Sequence, residues 1–436
     1  MNELRPLLSY EHALDIALQK AALKRAQRMQ QKQTAILPLT ACLGRVLADD
    51  LQSPVAVPYF DNSQMDGFAL RAADTRGATA ANPCRLPVLG AWAAGDEPAA
   101  CEAGAVYEIT TGAMMPAGIV DAVIKVEDVR LGHDDQSGQR WIEISQEIKS
   151  GENVRYRGGD FIEGQKIAQA GEAVGPELIM ACAGLGIEQL NVCEPIRIAI
   201  LATGKELQRY SDPELKQGSI RDASGPYLVA LFQDPLYELV VHKLIPDDPE
   251  MFAQEIKLCL ELQPDLIIST GAVSMGRHDF VRSVLEQTGA QILFHKVAVR
   301  PGKPVLFATW EQGPVLFGLP GNPISTLIGW RFFAYPYLRE LLGQVREKPG
   351  TARLLHEVRK PEELTCFYKA CLRQVSGETH VHILDGQGSH LISPLLKANA
   401  WAMLAAGMDT VSAAPLGLVF TFPLHAFKEN VSHAEY

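Results

Sequence analysis

GLPGNPIST, residues 318–326, ends the apolar run PVLF and opens the helix-like LIGWRFFAYPYLRELL. Glycine permits positive φ and close approach, whereas proline fixes φ and removes a donor. Gly318, Pro320, Gly321 and Pro323 therefore specify a stiff, bare loop that is shaped before any ligand arrives. Asn322 is placed to serve as N-cap with Pro323 at the first helical position, which predicts amides around Ser325 and Thr326 that are open to an anion. A capped helix and nothing more would use the same residues, so the reading turns on what surrounds them.

The same strand-then-loop unit recurs between Pro195 and Gly343. IRIAILATGKEL reads as a strand and a loop, YELVVHKLIPDD as a strand ahead of a helix opened by Asp248 and Pro249, and DLIISTGAVSMG as a further strand and loop. The alternation predicts an open parallel α/β sheet. Such sheets bind ligands beyond the carboxyl ends of their strands, which here carry Thr203-Gly204, Pro246-Asp247-Asp248, Thr270-Gly271 and Leu319-Pro320-Gly321-Asn322. Four loops of unusual composition are expected to face one cleft.

Upstream, residues 9–30 read as a helix with Ser9 as N-cap and Leu14, Leu18 and Ala21 or Ala22 on one face. From Gln52 to Ser150 short segments such as VYEIT and DAVIKVEDV, broken by Gly, Pro, Asp and Asn, predict a β-rich module. The segment that follows, beginning GENVRYRGGD, returns to the framework begun by the N-terminal helix. FYKACLRQV, HVHIL and LVFTF predict a β domain at the C-terminal end. The expected division is a discontinuous framework domain (1–48 and 150–194), an inserted β-rich module (49–149), an α/β domain (195–345) and a C-terminal β domain (346–436).

The composition sets bounds. With 436 residues, 47% hydrophobic and 21% charged, the chain is an ordinary soluble globular protein of several domains. A net charge of −11 argues against general affinity for nucleic acid or acidic membranes. Eight scattered cysteines contain no CxxC pair, which suggests neither a zinc site nor a disulfide framework and fits a reducing cytoplasm. The N-terminus lacks an uninterrupted apolar run, and no stretch elsewhere is apolar and long enough to span a bilayer. His380 and His382, in HVH, have strand spacing and read as one face of a strand.

Charge is local. Lys296, Arg300 and Lys303 lie in a span, Ala290 through Trp310, that has no acid, and an extended segment would put Lys296, Ala298 and Arg300 on one face. Arginine holds an oxyanion through two parallel hydrogen bonds and lysine adds a compact charge, so this is a candidate anion site. Glu206, Asp247 and Asp279 each follow a strand end, a placement suited to magnesium, which takes a few hard oxygen ligands and keeps waters for a phosphate-bearing substrate. Asp247 could equally serve as a helix cap. Thr270 and Ser274 put hydroxyls in the Gly-rich loop ahead of Asp279. In the β module Asp61, Asn62, Ser63 and Asp66 cluster, as do Thr110, Thr111 and Gly112, although Asp66-Gly67 alone is a hairpin signal. RYRGGD places Arg155, Arg157 and Asp160 around a Gly pair. The chain has no GxxxxGK[ST] loop, GxSxG elbow or HExxH, so the common hydrolase and nucleotidase designs are absent.

Taken in order, FDNSQMDGFA, ITTGAMMP, RYRGGD, LATGKEL, STGAVSMGRHDF, RPGKP and GLPGNP resemble the molybdopterin molybdenumtransferase family, relatives of the gephyrin C-terminal domain. The resemblance runs from about residue 8 to 430, and its specificity lies in the ordered set. It implies a multidomain α/β subunit: a molybdopterin-binding-like open α/β sheet domain, a β-rich inserted module, a discontinuous linking domain and a C-terminal β domain. The implied assembly is a homodimer whose cleft the partner subunit completes. The implied reaction joins molybdenum from molybdate to adenylylated molybdopterin and releases AMP, with Mg2+ as the divalent cation. The implied protein contacts are transient ones with molybdopterin adenylyltransferase and acceptor molybdoenzymes.

Carried over residue by residue, Asp66, Glu206, Lys296 and Arg300 are implied catalytic positions. Thr111, Arg155, Asp160, Ser274, Pro320, Pro323 and Ser389 are implied substrate contacts, and Glu206, Asp247 and Asp279 implied metal ligands. Lys205 stands where the family usually has Asp, Ala272 where it has Gly, Arg300 where it commonly has Lys, and RDAS where it has DSN. A second reading, a catalytically weak molybdopterin-binding homologue acting as carrier or scaffold, uses the same residues, and a third is an unrelated α/β phosphotransferase.

Overall fold

In the computed structural model, which describes residues 7–271, 280–375 and 377–411 and the backbone of 415–421, the chain falls into two compact units. The larger takes the chain up to Asp49, Ala170–Gly175 and everything from Leu190; the smaller takes Asp50–Gln169 and Pro176–Gln189.

Helix α1 (Tyr10–Gln30), in the larger unit, starts where Ser9 predicts, with the Ser9 hydroxyl accepting from the His12 amide at 3.2 Å. Its buried residues are Tyr10, Ala13, Ala17, Leu18 and Ala21, while Leu14 is half-buried. Leu18 and Ala21 of the expected face are buried and Leu14 packs against the core at its margin, while Ala13 and Ala17 extend the face. Alanines at i, i+4 and i+8 let two helices approach closely, and α1 lies against the helix Tyr335–Leu341.

The smaller unit is built on one sheet of β1 (Gly67–Leu70), β2 (Cys84–Trp92), β3 (Val106–Ile109), β4 (Ala122–Lys125), β5 (Val129–His133) and β6 (Arg140–Ile144), in the order β4-β1-β3-β2-β6-β5. Side chains alternate across it. Phe68, Leu70, Val106, Ile124 and Ile142 form one core, and Ala69, Trp92, Tyr107 and Val123 form another. Cover on both faces explains why β1 is apolar throughout. Gly67 does not turn a hairpin, as the Asp-Gly pair suggests, but opens β1 because a Cβ there would lie 1.9 Å from the Ile124 carbonyl oxygen. Beside the sheet, Asn62–Ser63 pairs antiparallel with Val154–Arg155, and helix α2 (Pro176–Gly184) completes the unit.

The larger unit contains β7 (Ile196–Thr203), α3 (Ser224–Leu231), β8 (Tyr237–Ile245), α4 (Pro249–Glu261), β9 (Leu266–Thr270), α5 (Val281–Gln287), β10 (Gln291–His295), β11 (Val299–Arg300), β12 (Leu306–Thr309) and β13 (Val315–Leu319). Its main sheet has the order β8-β7-β9-β13-β12-β10. The first four strands are parallel, as the alternation predicts. The sheet is nonetheless mixed, since β12 runs antiparallel to β13 and to β10. Only Trp310–Pro314 separates β12 from β13, and a parallel return needs a crossover of a dozen or more residues. Ile198, Ile200, Ile268 and Phe317 face one core, and Ala199, Leu201, Ile267 and Leu316 the other. Asp248 caps α4 through the Met251 amide at 2.8 Å, with Pro249 next in line, as read from the sequence.

The basic segment departs from the extended reading. Lys296 has φ +70°, which ends β10, and Arg300 lies in β11, paired with Cys366 of another sheet. Lys296, Ala298 and Arg300 therefore do not share one strand face. The chain leaves the α/β sheet at Lys296 and re-enters it at Leu306, with the Lys296 amide on the Val305 carbonyl and the Val297 amide on that of Lys303.

After β13 one continuous helix contains α6 (Pro323–Gly329), a π-helical stretch (Trp330–Ala334) and α7 (Tyr335–Leu341). Pro336 has no N–H for the Phe332 carbonyl, and the widened turn lets the Tyr10 hydroxyl of α1 donate to that carbonyl at 3.5 Å. The C-terminal strands are β14 (Gly350–Leu354), β15 (Thr365–Val375), β16 (Glu378–Ile383), β17 (Ala400–Leu404) and β18 (Pro415–Thr421). They close on themselves as β15-β16-β14-β18-β17-β15, because the long β15 pairs with β17 over its first half and with β16 over its second.

Candidate active site

The carboxyl ends of β7, β8, β9 and β13 are tied to one another atom by atom. The Thr203 hydroxyl donates to the Thr270 carbonyl at 3.0 Å, the Gly204 amide to the Ile245 carbonyl at 3.3 Å, and the Gly271 amide to the Leu319 carbonyl at 3.0 Å. Gly271 has φ +84°, and a Cβ there would lie 2.2 Å from the Thr203 carbonyl oxygen. A Cβ on Gly321 would sit 3.4 Å from the Gly271 Cα. The four loops therefore do meet at one edge, and bare backbone is what lets them do so.

Glu206 and Asp247 both follow strand ends at this edge. The Lys205 amide donates to Asp247 Oδ2 at 3.4 Å, and Glu206 is the next residue, its side chain exposed. Asp247 Oδ1 is buried without a hydrogen-bond partner among the described residues. Buried polar atoms are ordinarily paired, and this oxygen is open to a ligand. No group of three His, Cys, Asp or Glu that could hold a metal occurs among the described residues. Ser274 and Asp279 lie outside the described residues.

The GLPGNP loop is held from beneath. Pro320 is buried, and its carbonyl accepts from the buried Thr326 hydroxyl at 2.6 Å, while Gly321 and Asn322 form the exposed tip. Asn322 occupies the N-cap position with Pro323 after it, but its side chain makes no capping hydrogen bond. The Thr326 amide is used by the Asn322 carbonyl at 3.0 Å, and the Ile324 amide by the Ser389 carbonyl at 3.0 Å. Two of the amides at this helix start, those of Ile324 and Thr326, are thus taken by carbonyls of the fold. Gly302 of RPGKP, at φ +102°, packs beside Ile328 and the Ser325 carbonyl, so the loop that carries Arg300 and Lys303 lies on the same helix.

The smaller unit gathers its own exposed polar set. Asp66 Oδ1 accepts from the Thr111 amide at 2.7 Å and from the Thr111 hydroxyl at 3.1 Å. Arg155 pairs with Asn62 in the short ladder, Asp61 Oδ1 accepts from the Arg157 amide at 2.7 Å, and the Asp160 amide donates to the Val57 carbonyl at 2.9 Å. Asp66, Thr111, Arg155 and Asp160 all remain exposed.

The sequence alone does not single out Asp222. Asp222 is 6% exposed, accepts from the Gly225 amide at 2.9 Å at the start of α3, and faces His242. Burial holds His242 below its ordinary pKa against the opposing pull of Asp222. An Asp three residues ahead of a Gly is a capping signal, which hid it.

Known proteins resemble this chain over most of its length. Residues 8–186 match the MoeA N-terminal region (domain I and II), 199–340 a probable molybdopterin binding domain, and 351–413 the MoeA C-terminal region (domain IV). A protein of Synechococcus elongatus named molybdopterin molybdenumtransferase is 38% identical over 93% of this chain and 98% of its own. The chain belongs to the MoeA family of molybdopterin molybdenumtransferases. A second member of that family, from Haemophilus influenzae and of the same name, is 33% identical over 87% of this chain and 92% of its own. The crystal structure of the molybdopterin biosynthesis moeA protein from Pyrococcus horikoshii superposes with a TM-score of 0.76 at 28% identity, over 95% of this chain and 99% of that one.

Proposed function

We propose that this chain inserts molybdenum from molybdate into adenylylated molybdopterin, with release of AMP. The observation that carries this reading is the 38% identity, over 93% of the chain, to a relative named for molybdenum transfer. The strand-end edge supports it chemically, since it combines acids, a basic loop and bare backbone. Lys296 and Arg300 are proposed to hold molybdate, and Pro320 and Pro323 to stiffen the loop beside the pterin, with Ser389 and, by resemblance, Ser274 as further contacts. Asp66, Thr111, Arg155 and Asp160 are proposed substrate contacts, with Asp66 held in one orientation by Thr111. Positioning, not a covalent protein nucleophile, supplies most of the rate.

The donor set fits magnesium. Asp247 Oδ1 is buried with no partner among the described residues, Glu206 follows the residue whose amide bonds Asp247 Oδ2, and magnesium takes one or two carboxylates with waters and phosphate oxygens making up the rest. Glu206 and Asp247 would hold it, with Asp279 as a third ligand by resemblance. When bound, it would offset charge on the departing phosphate. A homodimer working in the cytoplasm, with transient contacts to molybdopterin adenylyltransferase and to acceptor molybdoenzymes, completes the proposal. No described helix is long and apolar enough to cross a membrane.

The test is AMP release from adenylylated molybdopterin with and without molybdate and magnesium, coupled to activation of a cofactor-free molybdoenzyme. Release is expected to require both, and Asp66→Ala, Glu206→Ala and Lys296→Ala to unfold cooperatively at the wild-type midpoint while losing roughly a hundredfold or more in rate. Wild-type rates in all three variants would refute the assignments. Tight binding without release would point instead to a carrier, a reading that no feature of the structure favours.

A further inference from the structure

Lys369 lies within β15 with no solvent exposure at all. Its Nζ donates to the carbonyls of Gly386 at 2.7 Å, Leu391 at 3.0 Å and Gly388 at 3.3 Å. An ammonium has three donors, and all three are spent on the backbone of one loop. Burial lowers the pKa of this lysine, and an apolar residue at the same place would avoid that penalty. The carbonyls explain the charge: three backbone acceptors converge on a nitrogen that has no solvent exposure, and losing their shared donor is costly.

The same loop is fastened a second time. Gln387 Oε1 accepts from the Lys369 amide at 2.9 Å, and Gln387 Nε2 donates to the carbonyls of Lys369 at 2.9 Å and Leu384 at 2.6 Å. At the outer end of the loop the Ser389 carbonyl accepts the Ile324 amide at 3.0 Å, one residue beyond Pro323. The chain of contacts thus runs from a buried ammonium, through one loop, to the start of α6.

We propose that Lys369 is a positioning residue, which fixes the Gly386–Leu391 loop and through Ser389 holds the first turn of α6 and the Pro320–Pro323 loop in their substrate-binding geometry. The consequence for substrate rests on the transferase reading above. The coupling itself rests only on these contacts.

Two readouts on the full-length protein decide it, using Lys369→Met and Gln387→Ala. In AMP release at saturating molybdate and magnesium, each variant is expected to raise KM for adenylylated molybdopterin about tenfold or more while kcat stays within about threefold. In hydrogen exchange, peptides covering 384–391 and 322–328 are expected to lose protection together. A folded variant with KM within about twofold of wild type, or with 322–328 as protected as before, overturns the proposal, since a purely structural lysine would loosen only its own loop. If Lys369→Met does not fold, Gln387→Ala carries both readouts with the charge left in place. A wild type that releases no AMP overturns the transferase reading alone, because exchange still decides the coupling.

Discussion

Gly271 and Lys296 both adopt left-handed backbone, at φ +84° and +70°, for different reasons. At Gly271 the neighbouring strand end leaves no room for a side chain, so Gly271→Ala adds a clash with the Thr203 carbonyl to the dihedral strain. A loss of roughly 2–4 kcal/mol is expected from urea unfolding, and an unchanged midpoint would show that the loop relaxes freely. Lys296 carries its side chain at a cost of roughly 1–2 kcal/mol, held by its amide on the Val305 carbonyl. The basic run around it was legible in the sequence because charge is a property of residues. Its backbone was not, because a strand face was assumed where the chain leaves one sheet for another.

For single elements, local signals served well at most helix starts and only in part on helix faces, where Leu18 and Ala21 of α1 are buried as expected and Ala13 and Ala17 join them. Ser9 and Asp248 cap where their chemistry demands, each bonding an amide three residues on. The face of α1 depends on what packs against it, and its Ala13, Ala17 and Ala21 stripe is read correctly only beside α7. Ala17→Leu, at a site with no exposure, is expected to cost roughly 1–3 kcal/mol by overpacking, read as a lowered urea midpoint; an unaltered midpoint would mean that the helices part easily. Asn322 shows the opposite failure: it stands at the cap position and does not cap, because the Ile324 amide it helps expose is taken by Ser389 from far along the chain.

At the scale of the whole molecule, the proposed homodimer is tested by sedimentation equilibrium, where twice the chain mass is expected across the concentration range of the activity assay and a single chain mass refutes it. Within the larger unit, Asp265 shows how distant segments are joined. Its Oδ1 pairs with Arg28 of α1 at 2.6 Å, and its Oδ2 accepts the Arg197 amide of β7 at 2.9 Å. The sequence by itself determined the alternation of strands and helices, the Gly and Pro loops at the strand ends and the local basic run, since period, turn chemistry and charge act over a few residues. Tertiary structure alone decided the Lys205 amide on Asp247, the Ile324 amide taken by Ser389 and the burial of Lys369 against its loop. Each of those is a contact between residues that share no local pattern, and only packing brings them within bonding distance.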